Sequence, residues 1–243
     1  MTTIAVSPSQ AGELKPLKPM ALVESILLFG IPGAILAASL WWMRPALTQA
    51  GMPDFISYTF SLTIVNVGLL VAAVVGYIRE GNLLTWPAFA QRMRLTYMTG
   101  RIWLWTIGGT LLFGGLALLI EPLALSIFKT IGFEPPMFTV PEAETVFGAI
   151  TSHIVVLFFN IVGEELWWRG YILPRQELTH GKITWLIHGT LWACFHMFKW
   201  WSVPFMLITC QIIPFVAQKT KNTWTGMINH IIINGAGAIL AAL

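Results

Sequence analysis

The sequence predicts an all-α fold: a polytopic transmembrane helical bundle of about seven spans, with room for an eighth. Three observations carry that prediction. Hydrophobic residues make up 56% of the 243 and charged residues only 10%, against about 25% charged in an average soluble domain. Mean hydropathy is +0.72. The apolar residues also fall into separate runs near the ~20 residues that cross a hydrocarbon core. A chain this apolar cannot cover itself with polar surface, so lipid is its solvent and helices must satisfy its backbone groups.

Taken in order, Met1 to Lys18 is polar and carries Pro8 and Pro16, with Pro19 next. No apolar core with a small-residue cleavage site follows a short basic start, so this is not a signal peptide. Residues 1–20 read as a short, loosely ordered cytoplasmic tail. The apolar runs are Ala21–Met43, Ser57–Ile78, Ile102–Ile120, Val146–Trp168, Ile183–Phe198, Trp201–Ala217 and Trp224–Leu243. The fifth and sixth are short and closely joined. Leu123–Ile131 is too short to span; it either extends the third helix past Pro122 or lies at the interface, which leaves room for an eighth span. Gly108, Gly109, Gly114 and Gly115 in span three, and Gly235 and Gly237 in span seven, read as close helix-packing positions. The chain thus divides into a tail (1–20), N-terminal helices and loops (21–145) and a four-helix membrane core (146–243).

The net charge of +3 comes from scattered basic residues. They form no block or stripe, which argues against a nucleic-acid partner and for topology signals. With the N-terminus cytoplasmic and seven spans, the cytoplasmic side holds Lys15, Lys18, Arg79, Arg92, Arg94, Arg101, Arg169, Arg175, Lys182, Lys219 and Lys221. The other side holds only Arg44, Lys129 and Lys199, a split of eleven to three. Cys194 and Cys210 lie in apolar stretches and read as small core hydrophobes.

Ionisable groups at membrane depth cost several kcal/mol and are functional candidates by default. Here they gather in the last four spans; Glu24, near the start of span one, reads as interfacial. Glu164 and Glu165 point about 100° apart on a helix. Arg169 follows Glu165 by four residues, the spacing of an ion pair with the acid N-terminal to the base. That leaves Glu164 free to face a cavity. Trp192 and His196 share a face of span five, and His230 and Asn234 share a face of span seven. Asn229 points away from that face, and His153, His180 and His188 read as structural. A carboxylate, two imidazoles, a carboxamide and a neutralised second carboxylate are an inventory for hydrolysis. Depth poses a difficulty: His196 lies about 20 Å along span five and His230 about 9 Å into span seven. A tilt of span five, or first turns lying in the interface at Trp185 and His188, would bring them level.

Glu164-Glu165 with Arg169, then Trp192 with His196, then His230 with Asn234, each on its own late helix, resemble the type II CAAX prenyl protease and bacteriocin-processing (Abi) family. The resemblance covers Val146 to Leu243. The family's second motif usually begins with Phe, where this chain has Trp192. The resemblance implies an intramembrane endopeptidase with its catalytic core in the last four spans. Glu164 and His196 would polarise the attacking water, His230 and Asn234 would bind the oxyanion, and Glu165 and Arg169 would be the supporting pair. It favours a metal-independent mechanism with no cofactor. A zinc site of Glu164, His196 and His230 is the alternative ligand set. The implied partners are membrane lipid and a membrane-associated or prenylated-type peptide or protein substrate. The rival functions are a non-proteolytic scaffold or immunity protein of the same fold, and a proton-coupled transporter.

The charge split predicts a cytoplasmic N-terminus and a C-terminus on the opposite side. Topology reporters fused at each end should read out on opposite sides; both ends on one side would refute the seven-span count.

Overall fold

The computed structural model describes residues 14–136 and 146–241, with side chains described except at 146–153 and 236–241. All regular structure among them is helical. Helix α1 (Leu22–Ala38) runs through a π-helical turn (Ser39–Met43) into α2 (Arg44–Gln49); α3 (Asp54–Arg79), α4 (Trp86–Arg92) and α5 (Gly100–Thr130) follow. Helix α6 (Val146–Glu165) continues through a second π-helical turn (Leu166–Ile172) into α7 (Leu173–His180). Then come α8 (Thr184–Phe195), a 3₁₀ turn (Met197–Ser202), α9 (Val203–Thr209), α10 (Ile212–Thr220) and α11 (Thr223–Ala241).

Among the described residues, three helical runs are long and apolar enough to cross a membrane: Leu22–Gln49, Asp54–Arg79 and Gly100–Thr130. A fourth arises if Met197–Thr209 and Ile212–Thr220, bent by 40° at their break, count as one span. The expected fifth and sixth spans therefore differ from regular crossings. Helix α8 has 12 residues, about 18 Å at 1.5 Å per residue. Lys199 leaves helical geometry at φ −118°, ψ 58°. Pro122 lies inside α5, which runs unbroken for 31 residues, so Leu123–Ile131 extends the third helix.

The lipid-facing surface is explicit on α5. Leu104, Leu111, Leu118 and Leu119 are each more than 70% exposed, while only Thr106, Gly109 and Ala124 of that helix are buried. Such a belt would aggregate in water; with the other apolar helices it makes the chain an integral membrane protein.

One hydrophobic core runs through both halves of the chain. Phe29 of α1 stacks on Trp168 of the second π turn, with ring centroids 4.1 Å apart. Two glycines bring backbones together. A Cβ at Gly163 of α6 would lie 2.3 Å from the carbonyl oxygen of Asn66 in α3, and one at Gly33 of α1 would lie 3.0 Å from that of Phe195 in α8. Among the glycines expected to pack, only Gly109 does so, against Val216; Gly108, Gly114, Gly115 and Gly235 meet open space. Gly237 lies outside the described side chains. Sequence spacing marks small residues but does not say which face of an outer helix meets protein.

The loops expected to share the basic side do share a face. Arg92 forms a bidentate pair with Glu80 and donates to the Gly170 carbonyl. Glu177 accepts from both Arg94 and Lys221. Arg175 pairs with Glu24 at 2.9 Å and reaches the Lys18 carbonyl. The tail differs from expectation. Residues 1–13 lie outside the described residues, but Lys15 N donates to Asn82, Met20 N donates to the Arg175 carbonyl, and Met20 is fully buried. On the opposite face Arg44 pairs with Asp54 at 2.7 Å, and the Trp41 indole donates to the Phe198 carbonyl.

Gly163→Ala must push α3 and α6 apart, because the atom it meets is backbone, and should destabilise by about 1–3 kcal/mol. Gly114→Ala faces open space within a helix and should be neutral or stabilising by up to about 1 kcal/mol. Unfolding in detergent should show these opposite signs; equal effects would contradict the packing.

Candidate active site

The two carboxylates do not end a helix. They sit inside one continuous helical run that passes through the π turn into α7. Gly163, beside them, packs on Asn66, which lies 13 residues before the end of α3 at Arg79, or about 20 Å. The site is therefore deep in the bundle. π turns insert an extra residue and often occur at functional sites. Here the turn buries Leu166, Trp167, Trp168, Arg169, Gly170 and Ile172 together, so the chain is enclosed on all sides where a regular amphipathic helix would expose one.

Glu164 is 2% exposed. Its Oε1 accepts from Asn160 Nδ2 at 2.6 Å, and its Oε2 accepts from the indole nitrogens of Trp192 at 2.8 Å and Trp168 at 3.2 Å. All three partners donate, and an acceptor-only carboxylate satisfies all three at once. Glu165, fully buried, takes a separate set: Arg169 Nη1 lies 3.0 Å from its Oε1, and His230 Nδ1 lies 3.0 Å from the same oxygen. The i,i+4 pair expected from spacing is thus present. Its link to His230 was not legible in the sequence, because it joins α6 to α11.

His196 lies just past the end of α8, partly exposed, with Nδ1 2.8 Å from the Trp192 carbonyl. A carbonyl only accepts, so Nδ1 carries the proton, and in the neutral ring Nε2 is left as an acceptor. The same reasoning puts a proton on His230 Nδ1, which faces a carboxylate. Asn234 is exposed and donates to Asn160 Oδ1 at 2.9 Å. Asn160 thus connects Glu164 with Asn234. Five of the six candidates form two branches, Glu164–Asn160–Asn234, joined through Asn160, and Arg169–Glu165–His230, while His196 bonds to neither. Trp192 touches both. Its ring lies 4.0 Å from the Arg169 guanidinium carbon and meets the His196 and His230 rings edge-on at 5.5 and 5.6 Å.

The two imidazoles nonetheless reach one level, since both meet the Trp192 ring. Helix α8 stops at Phe195, and α11 opens at buried Thr223, whose hydroxyl donates to the Met93 carbonyl. His188 is fully buried, bonded to Gln176 at 2.6 Å and edge-on to Phe29, rather than lying in an interface; the His153 side chain lies outside those described. Asn229 accepts from Thr110 at 2.5 Å and ties α11 to α5. Among the described residues, no group of three or more His, Cys, Asp or Glu side chains gathers as a metal would need.

Sequence reasoning missed Asn160, Trp168 and the donor role of Trp192. For the first two a signal was present: Asn160, Glu164 and Trp168 are spaced i,i+4 and share one face, and an Asn in an apolar helix is itself a flag. Gly226 was missed as well. A Cβ there would lie 2.1 Å from Glu165 Oε2.

Residues 146–236 match the family model for type II CAAX prenyl endopeptidase, Rce1-like. No curated protein and no solved structure matches the chain.

The two carboxylates should differ under substitution. Glu165→Gln leaves Arg169 as an unpaired buried cation, which typically costs about 3–5 kcal/mol, and should lower thermal stability in detergent strongly. Glu164→Gln keeps the ion pair and should lose less. Equal loss of stability would contradict the division of labour.

Proposed function

We propose that this chain, whose residues 146–236 belong to the Rce1-like family of type II CAAX prenyl endopeptidases, is an intramembrane endopeptidase. Its substrate is a membrane-associated or prenylated-type peptide or protein, and its catalytic core lies in residues 146–243. The observation that carries this reading is the buried Glu164 carboxylate, held by three donors and linked through Asn160 to Asn234.

In this mechanism Glu164 Oε1, which has one protein partner against two for Oε2, takes a proton from water. His196 Nε2 accepts from the same water and orients it. The resulting hydroxide adds to the scissile carbonyl carbon. The oxyanion is bound by Asn234 Nδ2 and by His230 Nε2, a role that requires His230 as an imidazolium. With Glu164 and Glu165 ionised, Arg169 and His230 as cations make the four-residue set neutral, which a low-dielectric interior favours. The protonated Glu164 then delivers its proton to the departing amine nitrogen as the C–N bond breaks, leaving a carboxylic acid and an amine. Glu165 and Arg169 hold His230 in place. No step runs through a metal, and no cofactor is needed. The protein lies in the membrane with a cytoplasmic N-terminus and seven passes, the later ones broken.

Purified protein in detergent or vesicles, given farnesylated and unmodified peptides, tests this reading. Glu164→Gln should lower kcat by at least about a hundredfold, the contribution of a general base. Full activity in that variant would remove Glu164 from the mechanism. Activity should also survive chelation. Stoichiometric zinc lost together with activity would replace the metal-free mechanism with a zinc one.

A further inference from the structure

We propose that Trp192 is a positioning residue. Its indole N–H, with that of Trp168, clamps Glu164 Oε2 and so dedicates Oε1 to proton transfer. This rests on the protease reading above and adds a part to it. The family's motif usually has Phe at this position, and Phe has no hydrogen-bond donor. An aromatic wall alone is therefore not all that Trp192 supplies.

Four observations support the clamp. Trp192 is 4% exposed and donates to Glu164 Oε2 at 2.8 Å, shorter than the 3.2 Å bond from Trp168. An indole nitrogen is a donor only, so neither bond can reverse, and each requires an acceptor oxygen on Glu164. The two indoles arrive from different elements, the π turn and α8. Rotating the carboxylate would break both bonds at once. Oε1 points instead to Asn160 and thus to the Asn234 side, where the proposed oxyanion site lies. Trp192 is itself fixed in plane. The Arg169 guanidinium covers its ring at 4.0 Å, and its own carbonyl holds His196 Nδ1 at 2.8 Å. One residue thus sets the orientation of the base and of the imidazole that shares its water.

The test separates the N–H from the ring. Trp192 is replaced by 3-benzothienylalanine, which keeps the bicyclic shape and cation–π face but lacks the donor, and separately by Phe. Both should lower kcat about ten- to a hundredfold, the range for a hydrogen bond to a charged group, with KM unchanged. Unchanged kcat in the benzothienyl protein, or a rise in KM alone, would overturn the positioning role. A second readout does not need activity. With ¹⁵N-indole-labelled tryptophan, the Trp192 N–H resonance, assigned by its loss in Trp192→Phe, should move in Glu164→Gln, while that of exposed Trp42 should not. If no peptide is cleaved, the protease reading fails; the clamp then stands if the resonance moves and falls if it does not.

Discussion

An arginine guanidinium at membrane depth must be solvated by protein, and much of the site is organised around that need. Arg169 is fully buried. Its charge is answered by Glu165 at 3.0 Å and by the face of Trp192 at 4.0 Å. Removing water from such a cation is expensive, and the cost is offset only where the pairing is close and other polar groups join it. Glu165 also binds His230, so the answer to Arg169 fixes an α11 side chain. Trp192 also binds Glu164, so the same answer fixes the candidate base. Arg169 touches no candidate reacting atom, yet both branches of the site are tied to it.

The π turn makes this enclosure feasible. In a regular helix Trp167, Trp168 and Arg169 would fan out over about 200°. Widening the helix there keeps all three inside. The polar face of the protein then holds the turn from outside. Arg92, itself locked by Glu80, donates to the Gly170 carbonyl, and a Cβ on Gly170 would press on Met93 at 3.2 Å. The ion pairs among the basic-side loops therefore brace the segment that carries the carboxylates. This explains why charges placed by topology also matter to packing. It also explains why the N-terminal helices, which carry no candidate residue, are part of the site's frame: α3 meets Gly163, and Phe29 of α1 stacks on Trp168.

Broken helices serve the same end. A span that crosses without interruption places each polar residue at a depth set by its number. Helix α8 ends at Phe195, just before His196, and α11 opens at Thr223, whose hydroxyl donates to the Met93 carbonyl. Ends of this kind leave backbone groups to be satisfied inside the bundle, which is tolerated where protein surrounds them. At the start of α11 the backbone N–H of Thr223 donates to the Arg94 carbonyl and that of Trp224 donates to Asn222 Oδ1.

The sequence by itself determined the lipid solvent, the all-helical class, the first three long helices and the Glu165–Arg169 pair. Each of these follows from composition or from spacing within one helix, where 3.6 residues per turn fixes which side chains meet. It also pointed to Glu164, His196, His230 and Asn234, because polar groups in apolar helices are costly enough to stand out. Only the tertiary structure decided that His230 turns to Glu165, that Asn160 joins Glu164 to Asn234, and that Trp192 donates to Glu164. It also decided which glycines pack and where the fifth and sixth spans break. All of these depend on contacts between helices far apart in sequence, and no periodicity within a single helix encodes which faces will meet.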